Sequence, residues 1–318
     1  MDLQKPPAEV SVIIPCFNGE PFLASCIESV RRQCLAPREI LVVDDRSTDA
    51  SAHIAASMGT RVITNDGARG PGAARNVGLR AADGEFVAFL DADDQWTTQH
   101  LARLTAVLAA SGASLACSGT APLETFREGD RAEPPQPWET ISIPGILREN
   151  LIPQSAMMAS RQTLIAVGGY DESWRYSEDY ELWLRLATQG HVMVRTTAVT
   201  CLRRTHATQA SRAVGRMKQG AWDARLRHGL AAPSGPLADA ERTARIAAMR
   251  DAFTYDLGDA WYLGHSVVKA LLEQIAETQP EYRQAYVEFR KSRSPWVVAR
   301  VAAWARVLIG RSRPATDL

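Results

Sequence analysis

Two apolar stretches of this chain each end in aspartates, a pattern suited to binding a metal ion and phosphate. Asp44 and Asp45 follow one stretch, and Asp91 and Asp93, spaced as Asp-x-Asp, follow the other. Carboxylate oxygens are the ligands that hard divalent cations prefer, and a cation held in this way can also bind phosphates. The same residues are also common helix caps and solvated loop residues. Their position at two predicted strand ends favours the cation site.

A further acidic pair, Glu178-Asp179, stands where a predicted helix begins. The helix dipole stabilises an anion there, and a general base must be in its anionic form to accept a proton. The same pair could equally be a helix cap without any chemical role. Taken alone, the pair is better explained as a cap.

The segment Gly70–Asn76, with sequence GPGAARN, opens another predicted helix. Its unpaired N–H groups and the side chain of Arg75 could face an anion. A plain turn with proline at the first helical position explains the same residues. The dinucleotide fingerprint would need glycine where Arg75 stands, so a nicotinamide-dependent dehydrogenase is disfavoured.

Strand and helix signals alternate over the first 120 residues. Apolar, β-branched runs at 10–14, 39–43, 61–64 and 85–90 predict four strands separated by helices. Helices of this length between strands predict right-handed βαβ units and a parallel sheet. Ligands bind such sheets at the carboxyl ends of the strands, so we expect the aspartates to meet at one edge.

The remaining chain is less regular. We expect strands at 114–119 and 191–197 and a surface loop over 122–144, which contains five prolines. After residue 211 the strand signals vanish, and helical patterns predict a helical C-terminal region over 212–318.

Composition excludes several classes of protein. The 318 residues carry 36 Lys and Arg against 36 Asp and Glu, so a broad nucleic-acid-binding surface is not expected. No apolar run approaches the ~18 residues that span a bilayer, and residues 1–10 lack the apolar core of a secretion signal. Five cysteines without a Cys-x-x-Cys pair are typical of reduced thiols, so we expect a cytoplasmic protein.

Five segments occur in an order and spacing that resembles the family 2 glycosyltransferases, which are inverting enzymes that use sugar nucleotides. These are VSVIIPCFNGE, ILVVDDRSTDAS, GPGAARNVGL, GEFVAFLDADD and SEDYELWLRL, within about residues 9–211. The resemblance implies an α/β GT-A fold, which is Rossmann-like with a mainly parallel central sheet flanked by helices. It implies a glycosyltransferase domain over 1–211, with a nucleotide-sugar half at about 9–120 and an acceptor half at about 121–211.

The resemblance also implies roles on the donor side. In that family, the end of the first strand and the aspartate after the second hold the nucleotide base. Here a backbone edge, a carboxylate and an aromatic wall could read uracil, so we expect a UDP-sugar. The residues expected to bind the nucleotide-sugar are Pro15, Phe17, Asn18, Asp45, Arg75, Asn76, Asp91 and Ala92.

The metal and catalytic roles follow from the same resemblance. Asp91 and Asp93 are expected to hold Mg²⁺ or Mn²⁺ with the diphosphate, and His206 is a third metal-side candidate, although a lone histidine is as often structural. After four preceding motifs, Asp179 is expected to be the general base that takes the proton from an acceptor hydroxyl. Glu178 would orient the acceptor or the helix.

The acceptor side and the C-terminus are less specific. Trp174 could stack on an acceptor sugar, and the acceptor could be a glycan, a lipid-linked sugar or another hydroxyl compound. Residues 292–312 form a basic, amphipathic pattern that could contact the inner face of the membrane peripherally, although docking on the protein is favoured. Polysaccharide biosynthesis would suit such an enzyme.

Two other functions remain open from the sequence. A sugar-phosphate nucleotidyltransferase also uses a nucleotide-binding α/β fold with Mg²⁺, but it usually has a glycine-rich, basic loop where this chain has CFNGEP. A degenerate, non-catalytic nucleotide-sugar-binding protein would have no need of Asp91, Asp93 and Asp179.

Overall fold

The computed structural model describes residues 9–126, 138–206, 214–229, 231 and 237–256. Its strands are β1 Val10–Cys16, β2 Glu39–Asp44, β3 Arg61–Thr64, β4 Phe86–Phe89, β5 Gln95–Trp96, β6 Leu115–Pro122, β7 Trp138–Thr140, β8 Met157–Ser160 and β9 Met193–Arg203. Its α-helices are α1 Leu23–Arg31, α2 Ser51–Ser57, α3 Pro71–Ala81, α4 His100–Ser111, α5 Ile143–Arg148, α6 Arg161–Ala166, α7 Glu178–Thr188, α8 Val214–His228 and α9 Asp239–Asp256. A 3₁₀ helix spans Gln154–Ala156.

One central sheet contains all nine strands, in the order β3-β2-β1-β4-β8-β6-β9-β5, with β7 paired to β9. The half that contains β3, β2, β1 and β4 is parallel, as the alternating sequence pattern predicts. The strand β8 joins β4 and β6 in antiparallel pairs, so the second half of the sheet is mixed. The predicted α/β fold with a sheet flanked by helices is confirmed.

The inner parallel strands β1, β2 and β4 are mostly buried on both faces, which explains their continuous apolar sequences. Ile13, Val42 and Val87 are fully buried. Helix α3 packs closely on this sheet because it carries Gly78, where a Cβ atom would overlap the side chain of Ile13. That close approach fixes the N-terminal half of α3, which carries Arg75 at the carboxyl edge of the sheet.

The described residues form two compact units. The first contains 9–126, 138–141 and 151–206, and the second contains 142–150, 214–229, 231 and 237–256. In the second unit α5 packs on α9, and Arg225 donates to the carbonyl of Leu147 at 2.8 Å. The predicted loop 122–144 is therefore interrupted by β7 and by the start of α5, which short sequence patterns do not reveal.

Two sequence predictions concern the C-terminus. No helix of the described part is long and apolar enough to cross a membrane. The amphipathic pattern at 292–312 lies outside the described residues, and so does most of the region beyond 256. The domain bounds 1–211 and 212–318 stay a prediction.

Candidate functional site

The register of the sheet brings the ends of β1, β2 and β4 to one edge. Cys16 at the end of β1 pairs with Asp44 at the end of β2, and Ile13 of β1 pairs with Phe89 of β4. Because these strands run parallel, the loops that follow them leave from the same side of the sheet. The two groups of aspartates therefore lie at the carboxyl edge, as the sequence pattern predicts.

Asp45 is held by neutral donors at this edge. One carboxylate oxygen accepts from the Asn65 side-chain amide at 2.7 Å, and the other accepts from the Gly70 N–H at 2.9 Å. Gly70 has a φ of 123°, a conformation open to glycine. Asp45 is only 8% exposed, and these two hydrogen bonds fix its orientation.

Asn18 ties the loop after β1 to the loop after β2. Its side-chain oxygen accepts from the Thr48 N–H at 2.8 Å, and its own N–H donates to the Ser47 hydroxyl at 3.0 Å. Asn18 has a φ of 51°, which asparagine tolerates better than most residues. These bonds give Asn18 a role in shaping the loop, and they leave the neighbouring Phe17 ring 58% exposed.

A cleft of about 310 Å³ opens beside Phe17 and Asp45. One wall is the start of α3, and the other is the loop that precedes α7. Trp174, predicted for the acceptor side, lies in this cleft with Phe17, whereas Pro15 lies within β1 opposite Val43. The cleft is lined by Phe17, Asp45, Arg69, Gly70, Pro71, Gly72, Ala73, Glu172, Trp174, Arg175 and Tyr176.

Arg75 is buried and joins two of the sequence motifs. Its guanidinium donates to Asp91 Oδ1 at 2.7 Å and to Glu178 Oε1 at 2.7 Å. Asp91 follows β4, and Glu178 begins α7. The Asp-x-Asp segment and the Glu-Asp pair, distant in sequence, are therefore held together by one cation.

The side chain of Asn76 holds the backbone of Tyr170 and the side chain of Glu172. Its amide nitrogen donates to the Tyr170 carbonyl and to Glu172 Oε1, both at 2.9 Å, and its oxygen accepts from the Tyr170 N–H at 2.8 Å. Each polar atom of the side chain thus has a protein partner. Asn76 fixes the start of the loop that lines the cleft, and a direct contact with the nucleotide stays a prediction.

Asp93 and His206 meet at the same edge. Asp93 Oδ2 lies 2.8 Å from His206 Nε2, and the His206 ring centroid lies 4.8 Å from that of Phe22. Arg204 donates to the Asp93 carbonyl at 3.1 Å, and its guanidinium carbon lies 4.9 Å from the Phe22 ring. The segment after β9 is thereby held against the Asp-x-Asp loop.

The residues between and beside these aspartates are partly covered. Ala92 is half-buried, and a Cβ atom at Gly19 would lie 3.4 Å from its Cβ. Burial raises the pKa of Asp94 to about 7, and the nearby carboxylates of Asp91 and Asp93 add to the shift. The carboxyl group of Asp94 is therefore protonated more readily than that of an ordinary aspartate.

The donor chemistry of this loop fits a divalent cation. Among the residues that the structure describes, no three His, Cys, Asp or Glu side chains are grouped closely enough to enclose a metal. Asp91, Asp93 and His206 still offer oxygen and nitrogen ligands at one edge of the sheet. Mg²⁺ or Mn²⁺ suits these ligands.

Asp179 occupies the first turn of α7. Ser177, just before this helix, has a left-handed φ of 57°, and the Tyr180 N–H donates to Asp179 Oδ1 at 2.7 Å. Burial and the adjacent Glu178 carboxylate raise the pKa of Asp179 to about 6, although Arg75 acts in the opposite direction. Such a carboxyl group is a stronger base than an ordinary aspartate and is still mostly ionised at pH 7.

Several site residues are missed by sequence reasoning. Asn65 orients Asp45, and the Ser155 hydroxyl accepts from the Asp91 N–H at 3.2 Å. The Tyr170 ring centroid lies 5.5 Å from the Arg75 guanidinium carbon. The sequence gives no periodic signal for these contacts, because each depends on how distant loops meet.

Comparisons with known proteins agree that this chain is similar to glycosyltransferases. Residues 11–165 match the family model "Glycosyl transferase family 2". The succinoglycan biosynthesis protein ExoO of Rhizobium meliloti is 30% identical over 213 residues, which are 60% of this chain and 59% of that protein. The "UDP-Glc:alpha-D-GlcNAc-diphosphoundecaprenol beta-1,3-glucosyltransferase WfaP" of Escherichia coli is 29% identical over 64% of this chain and 79% of its own.

A structural relative shows the fold. The crystal structure of S. aureus TarS 1-349 in complex with UDP-GlcNAc has a TM-score of 0.69 and 17% identity, and the match covers 96% of this chain and 93% of that one. This similarity confirms the GT-A fold. The chain spans only part of several curated relatives, including 26% to 38% of three of them. The Glu178-Asp179 pair and His206 lie beyond the residues that the family model matches.

Proposed function

We propose that this chain, whose residues 11–165 match the model of glycosyl transferase family 2, moves a sugar from a nucleotide-sugar to an acceptor hydroxyl with inversion. The observation that carries the proposal is the pair of 2.7 Å contacts from Arg75 to Asp91 and Glu178. They join the donor-side and base-side motifs beside the cleft that contains Phe17 and Asp45.

The proposed donor is a UDP-sugar. The base would lie in the cleft, where Asp45 offers a fixed carboxylate and Phe17 an exposed ring. The relative WfaP is named for UDP-Glc, and the TarS structure contains UDP-GlcNAc, which supports uracil as the base. The sugar itself is not specified by these contacts.

The proposed reaction is one displacement at the anomeric carbon. Asp179 takes the proton of the acceptor hydroxyl, the acceptor oxygen bonds to the anomeric carbon, and the bond to the diphosphate breaks on the opposite face. The nucleoside diphosphate leaves as a stable anion, so the second carboxyl group that a glycosidase needs as an acid is not required. A cation held by Asp91, Asp93 and His206 would neutralise the charge that develops on the diphosphate.

The proposed acceptor is a hydroxyl of a glycan under assembly, carried on a lipid or another carrier. ExoO is named for succinoglycan biosynthesis, and the name of WfaP specifies a diphosphoundecaprenol-linked sugar. An enzyme acting on such an acceptor would work in the cytoplasm at the inner face of the membrane. A peripheral contact through residues 292–312 is the alternative to their docking on the protein, which the sequence favours.

A donor panel tests the proposal. The protein is heated with UDP-, GDP-, dTDP- or CMP-linked sugars in Mn²⁺ or in EDTA, and release of the nucleoside diphosphate is measured in parallel. A ligand at 100 times its dissociation constant adds about 2.7 kcal/mol of stability, which a thermal shift detects. We expect a Mn²⁺-dependent shift and slow hydrolysis with UDP-sugars. Stabilisation without any hydrolysis would indicate a binding protein, and no stabilisation with any donor would contradict the proposal.

A further inference from the structure

Arg75 is buried to an extent that is unusual for a residue expected to touch a ligand. Its side chain is 4% exposed, and its two terminal nitrogens each donate to a carboxylate, Asp91 and Glu178, at 2.7 Å. Its Nε atom is buried and has no hydrogen-bond partner among the described residues. The guanidinium is therefore held by these two carboxylates and by its packing, and each terminal nitrogen donates to one of them.

The ring of Tyr170 fixes the plane of this guanidinium. The Arg75 carbon lies 5.5 Å from the ring centroid, within the range of a cation–π contact. Tyr170 is itself held by Asn76, by a 3.0 Å bond from its hydroxyl to Gln154, and by an edge contact with Phe89 at 5.6 Å. The Tyr170 ring therefore holds the Arg75 guanidinium in a plane from which its two terminal nitrogens reach Asp91 and Glu178.

Only arginine satisfies this geometry. Its planar fork donates to two carboxylates at once, whereas lysine is a point charge that would pair with one of them. Loss of the cation would leave the side chain of Glu178, which is 10% exposed, as an unpaired buried charge. The side chain of Asp91 is 35% exposed and would remain solvated. Removal of the Arg75 cation would therefore destabilise mainly the start of α7, which carries Glu178.

Asp179 is the next residue after Glu178 on that first turn. A shift of the turn would move Asp179 relative to the Asp-x-Asp loop, and a misplacement of about 1 Å can cost roughly 10²-fold in rate. We propose that Arg75 is a positioning residue, which fixes the turn that carries Asp179 against the end of β4 and does not bind the nucleotide. This inference rests on the proposed function, and it replaces the nucleotide contact that the family resemblance implies for Arg75.

The test compares Arg75→Lys, Arg75→Met, Glu178→Gln and the double variant Arg75→Met/Glu178→Gln. For each variant, kcat, the donor KM and Mn²⁺-dependent donor binding are measured, and circular dichroism checks folding. We expect kcat to fall about 10-fold in Arg75→Lys and about 10²-fold in Arg75→Met, with donor KM within about threefold. If Arg75→Met does not fold, the test rests on Arg75→Lys.

The double variant separates positioning from a general loss of structure. In the Arg75→Met background, Glu178→Gln removes the buried charge that has lost its partner, so kcat should recover at least about threefold over Arg75→Met alone. Simple additivity of the two losses would overturn the inference. So would a raised donor KM with unchanged kcat in Arg75→Lys, since this result identifies a ligand contact.

A matched control and a separate outcome complete the design. Arg38→Met removes an arginine–carboxylate pair with Glu9 that is exposed and lies before β2, at the opposite edge of the sheet, and it should leave kcat unchanged. Normal turnover in Asp179→Asn would refute Asp179 as the general base, on which the proposed mechanism depends. If Asp179→Asn is inactive while both Arg75 variants keep full kcat, only the role of Arg75 is refuted.

Discussion

Two acidic regions share the carboxyl edge of the sheet, and they differ in the groups that contact their carboxylates. After β2, Asp44 accepts from the Ser47 N–H, and Asp45 accepts from Asn65 and Gly70, so all of these donors are neutral. After β4 and at the start of α7, the carboxylates instead face Arg75, His206 and one another.

From this difference we infer that the region after β2 serves to recognise the donor, and that the region after β4 and at the start of α7 serves the chemical step. Neutral donors orient Asp45 without adding charge, which suits a site that reads the edge of an uncharged base. Burial, with a further contribution from neighbouring carboxylates, raises the pKa of Asp94 to about 7 and that of Asp179 to about 6. A carboxyl group with a pKa raised towards neutrality suits proton transfer.

The strongest test of this contrast is Asp179→Asn. An asparagine amide cannot accept the acceptor proton, and a positioned base contributes roughly 10²–10⁴-fold to rate. We therefore expect kcat to fall by that factor while UDP-sugar binding, measured by thermal shift in Mn²⁺, stays within about twofold. Asp83→Asn, at an exposed turn away from the carboxyl edge, is the matched control and should keep wild-type kcat. Normal turnover in Asp179→Asn would remove the chemical role of this region.

The sequence predicts the parallel half of this arrangement well. The runs that form β1, β2, β3 and β4 are apolar and bounded by turn residues, so both the strands and the edge at which they end can be predicted. Strand β8 is missed because Met157–Ser160 is short and has no alternating pattern. Its antiparallel place between β4 and β6 depends on pairing with strands distant in the chain.

The sequence does not predict which residues contact the acidic side chains of the site. Arg75 lies next to the predicted anion-binding turn, and this position suggests a ligand contact. The partners that the structure gives it lie 16 and 103 residues further along the chain. Asn65 likewise has no motif of its own, although it holds Asp45. Such roles follow from the meeting of loops, which local patterns do not encode.

The pH dependence of turnover sharpens the contrast between the two regions. Burial and the Glu178 carboxylate raise the pKa of Asp179 to about 6, and the base must be deprotonated to act. Protonation as the pH falls through 6 therefore removes the active form, so kcat should fall about tenfold per unit well below pH 6 and level off above about pH 7. Initial rates with saturating donor and acceptor between about pH 4.5 and 8 measure this.

Two checks accompany the profile. Thermal unfolding at each pH must show that the protein remains folded across the range. The residual activity of Asp179→Asn should lack the step near pH 6, because no carboxyl group is left to titrate at that position. A wild-type rate that stays constant down to about pH 4.5 would contradict the assignment of Asp179 as the base.

Asp45→Asn probes the region held by neutral donors, and its effect on turnover should be the smallest. The substitution replaces one of the two accepting oxygens with an NH₂ group, which then faces either the Asn65 amide or the Gly70 N–H. Loss of one buried hydrogen bond to a charged group costs about 1–3 kcal/mol, so urea unfolding should show a free energy of unfolding lower by that amount. The donor KM should rise, because Asp45 is proposed to orient the nucleotide base. The value of kcat should stay within about twofold, since no proton passes through this carboxylate in the proposed reaction. Asp66→Asn, at an exposed neighbouring position, should change neither the free energy of unfolding nor the donor KM. A kcat loss as large as that of Asp179→Asn would mean that both acidic regions take part in the chemical step, and the division between recognition and chemistry would fail.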